Sequence, residues 1–281
     1  MGSRIKKAVI PSAGLGTRLL PLTKAVPKEL LPVGRFPMIH WCVVEAALSG
    51  IEEVIIVIRS GKEAIKSYFM DDIDASVSKT TPFNEPGRLR DMMGFRFVYQ
   101  NRPRGPGDAL LEAKSAIGDQ PFALMYPDDV FPGKTPALRQ LIDVFEETGE
   151  MVTGLIRVPA EEEHTFANCG GVDVYPIDGD IFRITSLHDK GPGHFAVKEQ
   201  GEVRWTGRHI LTPEFLEHLK RTDDGGDELD DVAAFQSLIG KAGMLGKLID
   251  GEVFDVGNLD GYLRANVRLA GDRGRDYLSM K

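Results

Sequence analysis

The chain has 281 residues, in which 34 Lys and Arg stand against 42 Asp and Glu, a net charge of -8. That length buries a full core, in one large α/β unit or in a main body with a small appendage, and the acidic balance argues against a nucleic-acid partner. No run of about 18 apolar residues occurs and the opening Met1-Gly2-Ser3-Arg4-Ile5-Lys6-Lys7 lacks a signal peptide's apolar stretch, so no membrane segment is predicted.

Apolar runs of strand length at 7–11, 54–58, 95–99, 122–126 and 151–158 alternate with longer helical patterns. Such alternation predicts a largely parallel sheet with helices on its faces. Between the first two runs, Ile39, Val43, Ala46 and Ala47 follow helical spacing and the pattern stops at Gly50, which completes a right-handed βαβ unit. Residues 71–94 are polar and rich in turn formers, and read as a mobile surface segment. From about residue 168 the texture changes to short runs at 170–175, 181–187 and 202–210, an expected antiparallel extension. A helix at 213–220, an acidic loop, a helix over 231–242, a strand at 252–256 and a helix over 259–270 complete the chain, which is read as one domain: residues 1–160 a nucleotide-binding half and 161–281 a second half with the C-terminal helices. Two cysteines, Cys42 and Cys169, form neither a Cys-x-x-Cys pair nor a metal spacing with His, and suit a reducing compartment. Lys6 stands where the lipidation motif needs Ser or Thr, which argues against lipidation at Gly2.

The first run ends in Pro11-Ser12-Ala13-Gly14-Leu15-Gly16-Thr17-Arg18, which puts a glycine-containing loop after a buried strand, where α/β sheets bind ligands. The dinucleotide fingerprint would need Gly or Ala where Leu19 stands, and the P-loop's Gly-Lys-Ser/Thr is absent. The loop carries its own cation, Arg18, and Lys24 and Lys28 follow. A guanidinium binds phosphate bidentately and an ammonium adds a compact charge, so this backbone with Arg18 and Lys28 makes an anion site of triphosphate size. Asp128 and Asp129 follow another buried run directly, a place that suits a ligand for a hard cation. His188, His194 and His209 match no zinc spacing and read as surface or supporting residues. Ser12 lacks the Gly-x-Ser-x-Gly elbow of a serine hydrolase.

The stretch Ala13-Gly14-Leu15-Gly16-Thr17-Arg18-Leu19-Leu20-Pro21 with Thr23-Lys24-Ala25-Val26-Pro27-Lys28-Glu29-Leu30-Leu31-Pro32 resembles the signature of bacterial UTP:glucose-1-phosphate uridylyltransferases, within the sugar nucleotidyltransferases. The resemblance implies a Rossmann-like α/β fold, cytoplasmic work, a dimer or tetramer, and transfer of a uridylyl group from UTP to glucose 1-phosphate with Mg²⁺. By the same resemblance Ala13, Gly14, Gly16, Arg18 and Lys28 hold the triphosphate, with Arg18 toward the leaving pyrophosphate. Gln100 and the turn with Gly105 and Gly107 read the base, although the family has Leu and His where this chain has Pro106 and Asp108. Asp128 and Asp255 are implied as the metal ligands. For the sugar, the resemblance points to Gly171, to Asp189 and Lys190, and to the segment Gly207-Arg208-His209, with Asp189 one methylene shorter than the family's Glu. Those departures keep two other readings open: a transferase for another base or sugar, and a silent nucleotide-sugar sensor on the same fold.

Overall fold

A computed structural model describes residues 5–73, 85–166, 169–188, 202–223, 225–241 and 243–270. Among these, nine strands form one twisted sheet, and two short two-stranded pairs lie beside it. Strands β1 (Lys7–Pro11), β4 (Glu53–Ile58), β5 (Gly94–Tyr99) and β6 (Phe122–Met125) are the parallel part, in the order β5-β4-β1-β6. Their side chains alternate between two cores. Ala8, Ile10, Val54, Ile56, Ala123 and Met125 face one layer of helices, and Val9, Ile55, Val57, Phe122 and Leu124 face the other. Burial on both faces is why β1, β4 and β6 read as unbroken apolar runs, whereas the edge strand β5 is only partly buried and carries Arg96.

The first core is covered by α1 (Met38–Leu48), α2 (Glu63–Met70), α3 (Glu85–Met92) and α5 (Ala137–Thr148). Helix α1 is buried from Met38 to Ala46, hence its apolar composition on every side. The second core is covered by α4 (Pro106–Ile117), α6 (Glu214–Thr222) and α7 (Val232–Ile239). Part of the expected mobile segment is therefore helical: α3 inserts its fully buried Leu89 into the first core, and the stretch 74–84 lies outside the described residues.

The antiparallel strands do not form a separate layer. Strand β11 (Glu202–Leu211) inserts between β6 and β8 (Val152–Val158), antiparallel to both. Beyond β8 come β12 (Met244–Leu248), parallel to it, and then β10 (Ile181–Leu187) and β9 (Val172–Asp178). Strand β12 is missing from the sequence reading because Gly246 interrupts it. A Cβ there would sit 2.4 Å from Leu155 Cδ1, so close strand packing requires the glycine. The strand expected at 252–256 shrinks to β13 (Phe254–Asp255), paired with β7 (Asp129–Val130). A third core joins the hairpin β2 (Pro32–Val33) and β3 (Phe36–Pro37) to β7, β13 and the last helix, α8 (Leu259–Leu269).

Candidate active site

The carboxyl ends of β1, β5 and β6 open into a cleft of about 630 Å³, walled on the far side by β11. Beyond β1, Ser12 N–H continues the ladder to the Val57 carbonyl at 2.7 Å, and the chain then turns through the glycine loop. Gly16 takes a left-handed φ of 70°. A Cβ there would press at 3.3 Å on both Lys28 Cβ and Thr23 Cγ2, so glycine serves conformation and close approach together. Thr23 Oγ1 donates to the Gly16 carbonyl at 2.8 Å and pins the loop. Around Gly14 the space is open, which leaves room for a ligand against the main chain, and Arg18 stands exposed at the cleft wall.

Lys28 begins a single 3-10 turn whose next residue, Glu29, is fully buried. Its Nζ donates to Asp128 Oδ2 at 2.8 Å. Burial pushes the Asp128 carboxyl up, but the charge and hydrogen bond of Lys28 outweigh it and hold the group at about 2. Burial likewise pushes Lys28 down, and the Asp128 charge reverses the shift, so its ammonium is held above the usual range. The two groups stabilise each other in their charged forms.

Asp129 lies opposite Asp255 in the register of β7 and β13, and Val256 N–H donates to the Asp128 carbonyl at 2.7 Å. Gly257 N–H meets Asp255 Oδ1 at 3.1 Å, and Gly207 N–H meets Asp129 Oδ2 at 2.5 Å. Burial, and then the charges of Asp255 and Asp128, push the Asp129 carboxyl up to about 7. The acidic turn is anchored from behind by Arg208, which donates to the carbonyls of Tyr126 and Asp129, both at 2.7 Å, and to Glu45 at 2.9 and 3.1 Å. Arg208 is fully buried on the core side, so within Gly207-Arg208-His209 it supports the acidic turn and does not reach into the cleft.

At the other end of the cleft, Gln100 continues β5 and its amide nitrogen meets the Gly105 carbonyl at 3.1 Å and Asp108 Oδ2 at 2.7 Å. The acidic loop closes over this turn: Gly107 N–H donates to the Leu229 carbonyl at 3.0 Å and Leu229 N–H to the Arg104 carbonyl at 2.6 Å. A Cβ on Gly105 or Gly107 would lie 2.9 or 2.8 Å from the Leu229 carbonyl, so both glycines permit that approach.

Of the residues singled out in the sequence, Ala13, Gly14, Gly16, Arg18, Lys28, Gln100, Gly105 and Asp128 line one cleft. Gly107, Gly171 and Asp255 are buried just behind the lining. Asp189, Lys190 and His194 lie outside the described residues. His188 is a surface residue 3.0 Å from an Asp173 oxygen, whereas His209 is wholly buried, lines the cleft floor and shares a 2.7 Å hydrogen bond with Thr153 Oγ1.

The nucleotidyl transferase family profile matches residues 7–271. A UTP:glucose-1-phosphate uridylyltransferase of Staphylococcus epidermidis is 34% identical over 278 residues, 95% of this chain and 93% of that protein. The chain belongs to the UTP:glucose-1-phosphate uridylyltransferase family. Solved structures agree: a UDP-glucose pyrophosphorylase complexed with UDP-glucose superposes with a TM-score of 0.82 at 26% identity, covering 94% of this chain and 98% of that one. A UTP-bound enzyme of this family from Acinetobacter baumannii superposes with a TM-score of 0.81 at 28% identity, covering 99% and 100%.

This uridylyltransferase fold also brings to the cleft residues that the sequence reading passed over, Tyr126, Trp205 and Thr206, together with Asp227, Glu228 and Asp230 of the acidic loop, a segment that resembles one of the family's. Tyr126 donates through its hydroxyl to Asp231, which ties the end of β6 to the start of α7. Gly207 held the one legible signal, because a glycine inside a strand marks a close approach. A Cβ there would sit 2.6 Å from Tyr126 Cβ and 3.0 Å from Asp129 Oδ2.

Proposed function

We propose that this protein transfers the uridylyl group of UTP to glucose 1-phosphate, giving UDP-glucose and pyrophosphate. The observation that carries the reading is the convergence of the glycine loop, Arg18, Lys28 and Asp128 on one cleft of a size that takes a nucleotide. A phosphate oxygen of the sugar phosphate attacks the α-phosphorus of UTP in line. As the new P–O bond forms, the bond to the bridging oxygen breaks and its electron pair leaves with pyrophosphate.

No protein nucleophile is required, so the protein acts by positioning two polyanions and balancing charge as it moves. The main-chain N–H groups around Gly14 and Gly16 hold the triphosphate, Arg18 faces the leaving pyrophosphate, and Lys28 sits beside the α-phosphate. Gln100 and the Gly105 turn receive the base. Gly171, Asp189 and Lys190 are assigned to the sugar phosphate.

Members of the nucleotidyltransferase family generally use a divalent metal ion. The donor set here suits one: Asp128, Asp129 and Asp255 meet across β7 and β13, and their mutual repulsion raises Asp129 beyond what burial alone does. Mg²⁺ takes one or two carboxylates, its remaining ligands being phosphate and water oxygens, so a pair of these groups is enough. We assign Asp128 and Asp255 as those carboxylates. Bound there, Mg²⁺ supplies positive charge to the phosphates and fixes their orientation.

A cytoplasmic setting and a homo-oligomer complete the proposal. The buried free thiols Cys42 and Cys169 suit a reducing compartment, and α8 presents Leu259, Leu263 and Val267 along one exposed line. Pyrophosphate release that needs UTP, glucose 1-phosphate and Mg²⁺ together is the expected result. Release without the sugar phosphate, or none with all three present, would overturn the reading.

A further inference from the structure

The base end of the cleft carries a feature in which this chain departs from the family's sequence pattern. Gln100 is almost wholly buried, with only its edge in the cleft lining. A primary amide has two N–H donors and one carbonyl acceptor. Both donors of Gln100 are spent, one on the Gly105 carbonyl at 3.1 Å and one on Asp108 Oδ2 at 2.7 Å. A backbone carbonyl and an ionised carboxylate only accept, so rotating the amide by half a turn would set Gln100 Oε1 against two acceptors. The orientation is therefore fixed by chemistry, and Oε1, which makes no hydrogen bond among the described residues, is the group left for a ligand.

Asp108 is itself held. Arg104 Nη1 lies 3.4 Å from Asp108 Oδ1, and the same guanidinium grips Asp223 at 2.6 and 3.3 Å and the Gly226 carbonyl at 3.1 Å. The backbone exchange between Arg104, Gly107 and Leu229 closes this turn against the acidic loop. The carboxylate thus has a cation on one oxygen and Gln100 on the other, with little freedom to swing away.

We propose that Asp108 is a positioning residue that makes Gln100 an acceptor-only reader of the base, selecting a pyrimidine that offers N3–H. Uracil and thymine carry that proton; cytosine presents a lone pair at N3 and would face Oε1 acceptor to acceptor. The inference rests on the nucleotide occupying this cleft as proposed above, and it assigns base choice to a residue where the family commonly has a different side chain.

The test is the ratio of UTP to CTP, read both as Kd by titration calorimetry and as kcat/KM for pyrophosphate release, in the parent, Asp108→Asn and Asp108→Glu. A mismatched buried polar contact leaves the parent favouring UTP by about a hundredfold or more. Asp108→Asn, whose amide can donate as well as accept, leaves the Gly105 carbonyl alone to oppose a turned Gln100, and lowers the ratio several-fold, chiefly by gaining CTP. Asp108→Glu keeps an acceptor-only group and keeps most of the ratio. A ratio unchanged in Asp108→Asn, or falling equally in both variants, would overturn the assignment, as would a parent indifferent to the two bases. The two readings fail separately: a parent that binds UTP over CTP yet releases no pyrophosphate would sink only the transferase reading. Equal turnover of the two nucleotides would sink only the role of Asp108.

Discussion

Lys62 and Glu29 form an ion pair beneath the candidate site, with Nζ 2.9 and 2.8 Å from the two carboxylate oxygens and both side chains almost wholly buried. The same ammonium donates to the Ser12 carbonyl at 2.8 Å. One buried cation thus joins the root of the glycine loop to the turn that carries Lys28. Removing one partner of such a pair leaves an uncompensated buried charge, so Lys62→Met is expected to lose about 3–5 kcal/mol of stability, measured by urea unfolding. The double variant Lys62→Met with Glu29→Leu should recover a large part of that loss. A single variant as stable as the parent would show that the pair does not brace the loop.

Asp128 tests the proposed chemistry more directly. Asp128→Asn keeps the shape of the turn and a hydrogen-bond acceptor for Lys28 while removing the charge. Turnover is expected to fall on the order of a hundredfold, about 3 kcal/mol in the transition state, with the far-ultraviolet circular dichroism unchanged. Parent-like turnover would remove Asp128 from the proposed metal site.

Gly207 offers a steric probe of the same region. Gly207→Ala places a methyl 2.6 Å from Tyr126 Cβ and 3.0 Å from Asp129 Oδ2, in backbone that cannot easily give way. Overpacking of this kind costs about 1–3 kcal/mol, and here it also displaces the acidic turn. Both a lower thermal midpoint and a lower kcat are expected, and a variant matching the parent in both would show that the wall tolerates a side chain.

His40 sets a pH dependence. It is fully buried, stacked on Phe36 at 4.4 Å and 3.0 Å from the Tyr68 hydroxyl, and burial lowers its pKa from 6.5 to about 3. The unfolded chain therefore binds a proton between these values and the folded chain does not, so stability falls as pH drops through 6.5 toward 3. Lowering the pH to about 5 costs about 2 kcal/mol through this group. His40→Phe should flatten that part of the stability profile in denaturant titrations at several pH values, and an unchanged slope would refute the link.

The proposed homo-oligomer is tested on α8, where Leu259, Leu263 and Val267 are 47%, 52% and 80% exposed. Light scattering is expected to give a dimer or tetramer, reduced by Leu263→Glu with Val267→Glu. A parent monomer at working concentration would overturn the proposal.

The local sequence already determined a good deal. The five apolar runs marked the parallel strands and β8, most firmly for β1, β4 and β6, because strands buried on both faces must be apolar throughout. The glycine loop with Arg18, Lys28 and Asp128 was legible because ligands of open α/β sheets collect beyond strand ends, and those ends are marked by Gly, Pro and charge. A helical α3 was not legible within 71–94, since a single buried apolar side chain, Leu89, gives too weak a period against Pro86 and Gly87.

Tertiary structure alone decided which distant residues meet. Nothing local to Asp255 reveals that a two-residue strand sets it opposite Asp129, or that Lys62 lies under Glu29. Arg208 belongs to a segment that sequence resemblance links to the sugar, yet the side to which its strand turns it makes it an anchor for the acidic turn. Sequence fixes which charges a chain carries, while pairing in a low-dielectric interior depends on distance and burial, and these are set by how separate strands come into register.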